Sequence, residues 1–196
     1  MQNVKTTESR GDVVFQSTLE TRPGGLTLAI ADLVEDVIYA GTPIGVDSST
    51  KLGHIVKCAE MQATATDSAT DYRVIKGHHF KVGDHICSAE GAKAQTILTI
   101  TTTETDYDTI TVGTTLGVEV ADGAWLYQSA SASQSTGSDL KYDPIGLIGE
   151  DHDVTSGDNI LCSVVVRGSV IKDNLAPAVG TVITAKLPLI RFVDFI

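Results

Sequence analysis

Ten of the 22 residues in the stretch 94–115 are threonine, interleaved with Ile97, Ile100, Ile110 and Val112. A branched Cβ restricts χ1 and suits a pleated, half-buried surface better than a helix, so this composition commits the stretch to strand. The polar break ETDYDT at 104–109 divides it, and two strands joined there are the simplest parse. A second pattern extends the β reading. In KVGDHI (81–86), VADGAWLY (120–127) and VTSGDNIL (154–161), a polar approach and one glycine launch an apolar run. Gly83, Gly123 and Gly157 are each expected to supply a positive-φ turn position before a strand. YAGTPIGV (39–46) adds a fourth such connection, with Pro43 at a strand start or an edge.

Helix signals are few. Ile30, Leu33, Val34 and Val37 keep helical spacing, while Leu26, Leu28 and Ile30 alternate as a strand does, so both readings of this segment stand. VITAKL (182–187) predicts one or two helical turns, with the Thr181 hydroxyl capping free N–H groups and Pro188 ending the run. NILCSVVVRGSV (159–170) reads as one strand of about ten residues, apolar enough to be buried on both faces or packed in a small barrel. SASASQSTGSD (129–139) reads as a serine-rich linker. The expected class is all-β, with one or two short helices as accessories.

With 196 residues, the chain suits one domain, or one domain carrying an inserted lobe, and buries about 70% of its extended-chain surface on folding. A formal net charge of −11 without a Lys/Arg cluster repels phosphates, which excludes nucleic acid as the expected partner. The polar start MQNVKTTESR and the lack of a long apolar run predict a soluble protein made in a cytoplasm, with no membrane partner. Cys58, Cys87 and Cys162 are odd in number, far apart and lack a C-x-x-C pair, so free buried thiols are expected.

Several residue groups invite chemistry. Glu150, Asp151, His152 and Asp153 offer acids and a base, but neighbours on one loop diverge, whereas a catalytic pair must converge on one substrate atom. The expected role is a charged connection between strands. His78, His79, His85 and Cys87 suit zinc by ligand type, and residues 85 and 87 share one strand face, yet a fourth ligand at recognisable spacing is missing. A polar hairpin edge carrying His residues is the simpler reading. Asp106 and Asp108 lack the later glycine and acid of a calcium loop, so they read as a turn. Arg10-Gly11-Asp12 spells an adhesion tripeptide that arises easily by chance. Nucleophile-elbow, zincin, dinucleotide and Walker motifs do not occur, and neither catalytic, metal nor cofactor-binding residues are assigned.

Apolar sequence also marks the two ends, as VVF (13–15) and LPLIRFVDFI (187–196). The polar lead before VVF has no evident home within the chain. Residues 1–15 therefore read as an arm that docks on a neighbour through Val13, Val14 and Phe15. The C-terminal run reads as core.

DPIGLIGEDHD followed by NILCSVVVRGSVIKDNLAP resembles the head-decoration proteins of tailed bacteriophages. In that family a glycine-containing strand and acidic turn precede a v-x-V-x-G-x-V strand and a short L-P connection. Ile145, Gly146, Leu147, Glu150, Asp151, Val164, Val166, Gly168 and Val170 stand at the matching positions. AGTPIGV (40–46) is similar to an earlier turn of the same family, and AKLPLIRFV is similar to an ending of head-fibre or auxiliary capsid proteins of some phages of gut bacteria. The resemblance implies a small β-barrel or tulip-like domain on the capsid exterior, commonly trimeric, that clamps major capsid subunits and pairs its N-terminal arm with them. It divides the chain into the arm (1–15), a decoration-type domain (16–71 and 131–196) and an inserted β-lobe (72–130). A rival reading makes the lobe a carbohydrate-binding adhesin that presents Tyr107, Trp125 and Tyr127 to host surface glycans.

Overall fold

In the computed structural model, residues 13–135, 137–154 and 157–194 are described. Five strands come first: β1 (Phe15–Thr21), β2 (Leu26–Leu28), β3 (Val37–Ile38), β4 (Pro43–Val46) and β5 (Gly53–Ile55). Six follow as a block: β6 (Cys58–Glu60), β7 (Asp71–Ile75), β8 (His85–Cys87), β9 (Ala94–Thr101), β10 (Tyr107–Val112) and β11 (Trp125–Ser129). The chain then returns through β12 (Pro144–Ile148), β13 (His152–Asp153), β14 (Ile160–Cys162) and β15 (Val164–Ile171) to a short helix, α1 (Thr181–Ala185), and β16 (Ile190–Val193). The protein is all-β, as its composition demands.

The first sheet runs β1-β15-β12-β4-β5-β2-β14, with β16 parallel to β15. Because β14 passes through Ser163 directly into β15, the order turns back on itself and the sheet curls. Leu28, Ile38, Ile44, Ile55, Ile148, Cys162 and Val164 fill the space inside the curl. β3 and β13 form a separate two-stranded ribbon.

The second sheet runs β6-β11-β8-β9-β10-β7. A bridge between Met61 and Val74, with the Gln62 N–H donating to the Arg73 carbonyl at 2.9 Å, brings its two ends together. Tyr72, Val74, Phe80, Ile86, Ile97, Ile110 and Leu126 line its interior. On β7 and β10 buried and more exposed residues alternate with period two, which is the threonine-isoleucine pattern of the sequence made physical.

A third apolar cluster joins the two sheets. Val14, Cys58, Cys87, Tyr127, Leu147, Val170, Leu175 and Ile183 all belong to it. Helix α1 sits here, and the Val182 N–H donates to the Tyr127 hydroxyl at 3.2 Å. The expected Thr181 cap does not form, because a core tyrosine supplies the acceptor instead. Gly180 makes that approach tight: a Cβ there would stand 2.7 Å from the Tyr127 ring and 3.0 Å from Trp125.

The two joined strands at 94–112 and the strand start at Pro43 match expectation. So do the turns at Gly83, Gly123 and Gly157, whose φ values are 92°, 74° and 79°. The segment 26–37 resolves into strand β2 followed by a single 3-10 turn, Ile30–Asp32, so the two periodicities each describe part of it. The run 159–170 is two strands rather than one, broken at Ser163, whose carbonyl accepts the Gly149 N–H at 2.9 Å. The serine-rich stretch is no free linker. Ser133 bridges Ala94, and Ser138 is buried with its carbonyl accepting the Gly91 N–H at 2.8 Å.

The strands of this second sheet all come from residues 58–129. Its first strand, CAE, is too short and too poor in β-branched residues to announce itself, and it is defined only by antiparallel pairing with β11.

Candidate interaction surface

The acidic turn at 150–153 is a fastener. The Asp151 carboxylate accepts the Ala40 N–H at 2.7 Å, while His152 and Asp153 form β13 against Ile38 and Val37. Glu150 is exposed, and its carboxylate lies 3.9 Å from His152 Nε2. These side chains serve different neighbours, as their adjacency on one loop predicts.

The four metal-type residues do not converge either. His85 meets Thr96 Oγ1 at 3.0 Å, and Cys87 is fully buried with its thiol toward the Tyr127 carbonyl at 3.6 Å. His78 and His79 are buried, contrary to the expected polar hairpin edge. His78 Nδ1 accepts the Phe80 N–H at 3.2 Å, and Nε2 lies 3.3 Å from the Asp108 carboxylate. Burial lowers the His78 pKa against the opposing pull of Asp108. His79 Nδ1 accepts the Val34 N–H at 3.4 Å, and burial, helped by nearby Lys57, lowers its pKa to about 4. Among the described residues no group of three or more His, Cys, Asp or Glu side chains could hold a metal ion.

Asp108 corrects the turn expectation. It lies within β10, is 7% exposed, and accepts from the Lys76 ammonium at 2.6 Å. Asp106 remains in the connection between β9 and β10, outside any strand.

These side chains border a cleft at the joint of the two sheets. One wall is the segment 30–39, which leaves β2 of the first sheet and runs through the 3-10 turn into β3 of the ribbon, and the other is the segment 76–82 between β7 and β8. The Val34–His79 hydrogen bond and a second from Lys81 Nζ to the Ala31 carbonyl, at 2.6 Å, span the joint. Two adjoining cavities of about 430 and 440 Å³ run along it and share Glu35, Lys76 and Gly77. One has an apolar floor of Phe80 and Ile100 beneath Val34 and Val82, which are 52% and 63% exposed. The other is bordered by Asp36, Tyr39, His79 and Pro177. No sequence signal joins 34–39 to 76–82; only the tertiary fold, which brings these two segments together, creates the cleft.

The proposed glycan platform is not assembled. Tyr127 is 2% exposed and part of the central core, and Trp125 is half-buried beside it against Gly180. Tyr107 lies on β10, separated from β11 by β8 and β9, with the Arg73 guanidinium 5.3 Å over its ring.

At the N-terminal end, Val14 is 8% exposed and packs into the chain's own core, and Phe15 packs partly against the same cluster. Val14, and in part Phe15, thus contribute to the chain's own core. Val13 is 63% exposed. From Gln16 to Thr21 every residue of β1 is exposed, and shifts of register near Gln16 and Leu19 turn the strand, leaving Leu19 68% exposed. Residues 1–12, including Arg10-Gly11-Asp12, lie outside the described residues, as do Phe195 and Ile196.

Among the described residues no helix is long and apolar enough to cross a membrane. Compared with known proteins, the chain matches no family model, no curated protein and no solved structure.

Proposed function

We propose that the chain is a structural virion protein on the exterior of a tailed-bacteriophage capsid, where it binds and cements major capsid subunits and serves as a decoration protein or head-fibre base. The observation that carries this reading is where the resembling residues fall. Ile145, Gly146 and Leu147 lie on β12, and Val164, Val166, Gly168 and Val170 lie on β15, two adjacent strands of the first sheet. Both glycines answer a packing need. A Cβ at Gly146 would stand 2.5 Å from the Val165 carbonyl oxygen, and one at Gly168 would strike that of Ser17. The motif therefore sets how closely β15 approaches β12 on one side and β1 on the other.

β1 is also the strand that residues 1–12 lead into. With Val14 and Phe15 committed to the core, the docking role narrows to that leading segment, Val13 and the exposed edge of β1. In this account copies assemble as trimers. Each bridges subunits, buries apolar surface at their junction and stabilises the assembled shell because it binds that state alone.

The test is co-sedimentation of the purified chain with assembled capsids and with free capsid subunits. The reading expects association with the shell only, and loss of it when residues 2–12 are deleted. Equal recovery of the deleted chain would remove the arm from the account.

A further inference from the structure

We infer that the cleft between segments 34–39 and 76–82 docks an extended peptide segment of a partner protein, with an apolar side chain over Phe80 and a Lys or Arg within two residues of it beside Glu35 and Asp36. This does not rest on the capsid reading, because it concerns the isolated chain and one surface at its central joint.

Shape comes first. The two cavities adjoin along one wall, each about the size of one or two large side chains, and together they form a trough. An extended chain advances about 3.4 Å per residue with side chains alternating, so residues i and i+2, about 7 Å apart on one face, can enter both. Chemistry then assigns the side chains. The cavity over Phe80 and Ile100, between Val34 and Val82, offers apolar surface that is open to water and that a Leu or Phe would cover.

Charge decides the second position. Glu35 and Asp36 are exposed and make no ion pair among the described residues. Of the cations opposite, Lys76 is paired with Asp108, and Lys81 is held by the neutral Ala31 carbonyl and offsets only one of the two carboxylates. His79 is neutral near pH 7 because burial holds its pKa at about 4. The free charge at the mouth is thus negative, and the net charge of −11 draws a basic segment from a distance.

Amide chemical shifts test this during titration of the full chain with acetyl-Gly-Leu-Ser-Arg-Gly-amide. Saturable shifts are expected at Val34, Gly77, Phe80 and Ile100. Replacing the peptide's Leu by Ser should weaken binding about tenfold, and replacing its Arg by Glu several-fold, from the loss of one buried apolar group and of exposed ion pairs. The double variant Glu35→Lys, Asp36→Lys alters only exposed side chains and should reverse the charge preference, and Val82→Asp should abolish binding. Shifts outside the cleft, no saturation, equal response to all three peptides, or an unchanged ranking in the charge-reversed variant would each overturn the inference.

Discussion

The Lys57 ammonium lies 2.8 Å from the Asp84 carboxylate, with the lysine 4% exposed at the joint where the chain passes from one sheet to the other. The Gln128 side-chain amide donates to the other Asp84 oxygen at 2.8 Å, and the Lys81 N–H donates to the first at 3.0 Å. Asp84 therefore gathers three donors, whereas Lys57 depends on Asp84. Burial pushes the Lys57 pKa down, against the hydrogen bond and charge of that carboxylate. Asp84→Ala strands a buried cation and is expected to cost about 3–5 kcal/mol in urea denaturation. Lys57→Met keeps the aliphatic stem and leaves Asp84 two donors, so its cost should be clearly smaller. Equal losses would contradict this asymmetry.

Gly180→Ala should destabilise by about 1–3 kcal/mol through overpacking against Tyr127 and Trp125, although its φ of −68° suits any residue. Tyr127→Phe removes the acceptor of the Val182 N–H and should cost about 1 kcal/mol. Thermal unfolding of both variants checks the order.

His79 gives a pH dependence of definite sign. Its folded pKa of about 4 lies below the ordinary 6.5, so the unfolded chain binds the extra proton between those values. Its contribution is full above pH 6.5 and shrinks as pH falls toward 4, by up to about 3 kcal/mol. His79→Gln should flatten the slope of stability against pH across this window. An unchanged slope would show that His79 is not its source.

The three thiols are free and buried, as their number and spacing predict. Burial raises the pKa of Cys58 to about 12 and those of Cys87 and Cys162 to about 11. A thiol-exchange reagent at pH 8 should label the native chain far more slowly than the urea-unfolded chain. Rapid native labelling of any one thiol would contradict its packing.

Local chemistry made much of this fold legible. Threonine and isoleucine alternation located β9 and β10, and single glycines located the turns before β8, β11 and β14. What local chemistry lacks is information on pairing between distant segments. Cys58–Glu60 gains strand character only from β11, Asp108 looks like a turn residue until Lys76 and His78 close on it, and Tyr127 looks like a surface aromatic until α1 packs over it. The cleft is the extreme case, since its two walls are segments about 40 residues apart that meet only in the folded chain.

The arm and the edge of β1 can be separated by variants. Gly168→Ala would drive a Cβ into the Ser17 carbonyl and should loosen β1 from β15 while the second sheet keeps its protection. Hydrogen exchange checks this by region. Faster exchange confined to β1 and β15 is expected, and uniform acceleration would mean that the contact supports the whole fold.

The most direct measurement is a cryo-EM map of the tailed-phage particle assembled with and without this chain. The account predicts added density on the outer face of the shell, bridging neighbouring capsid subunits, with β1 and the leading segment nearest the shell. Density confined to the tail or the shell interior, or no added density at saturating chain, would contradict it.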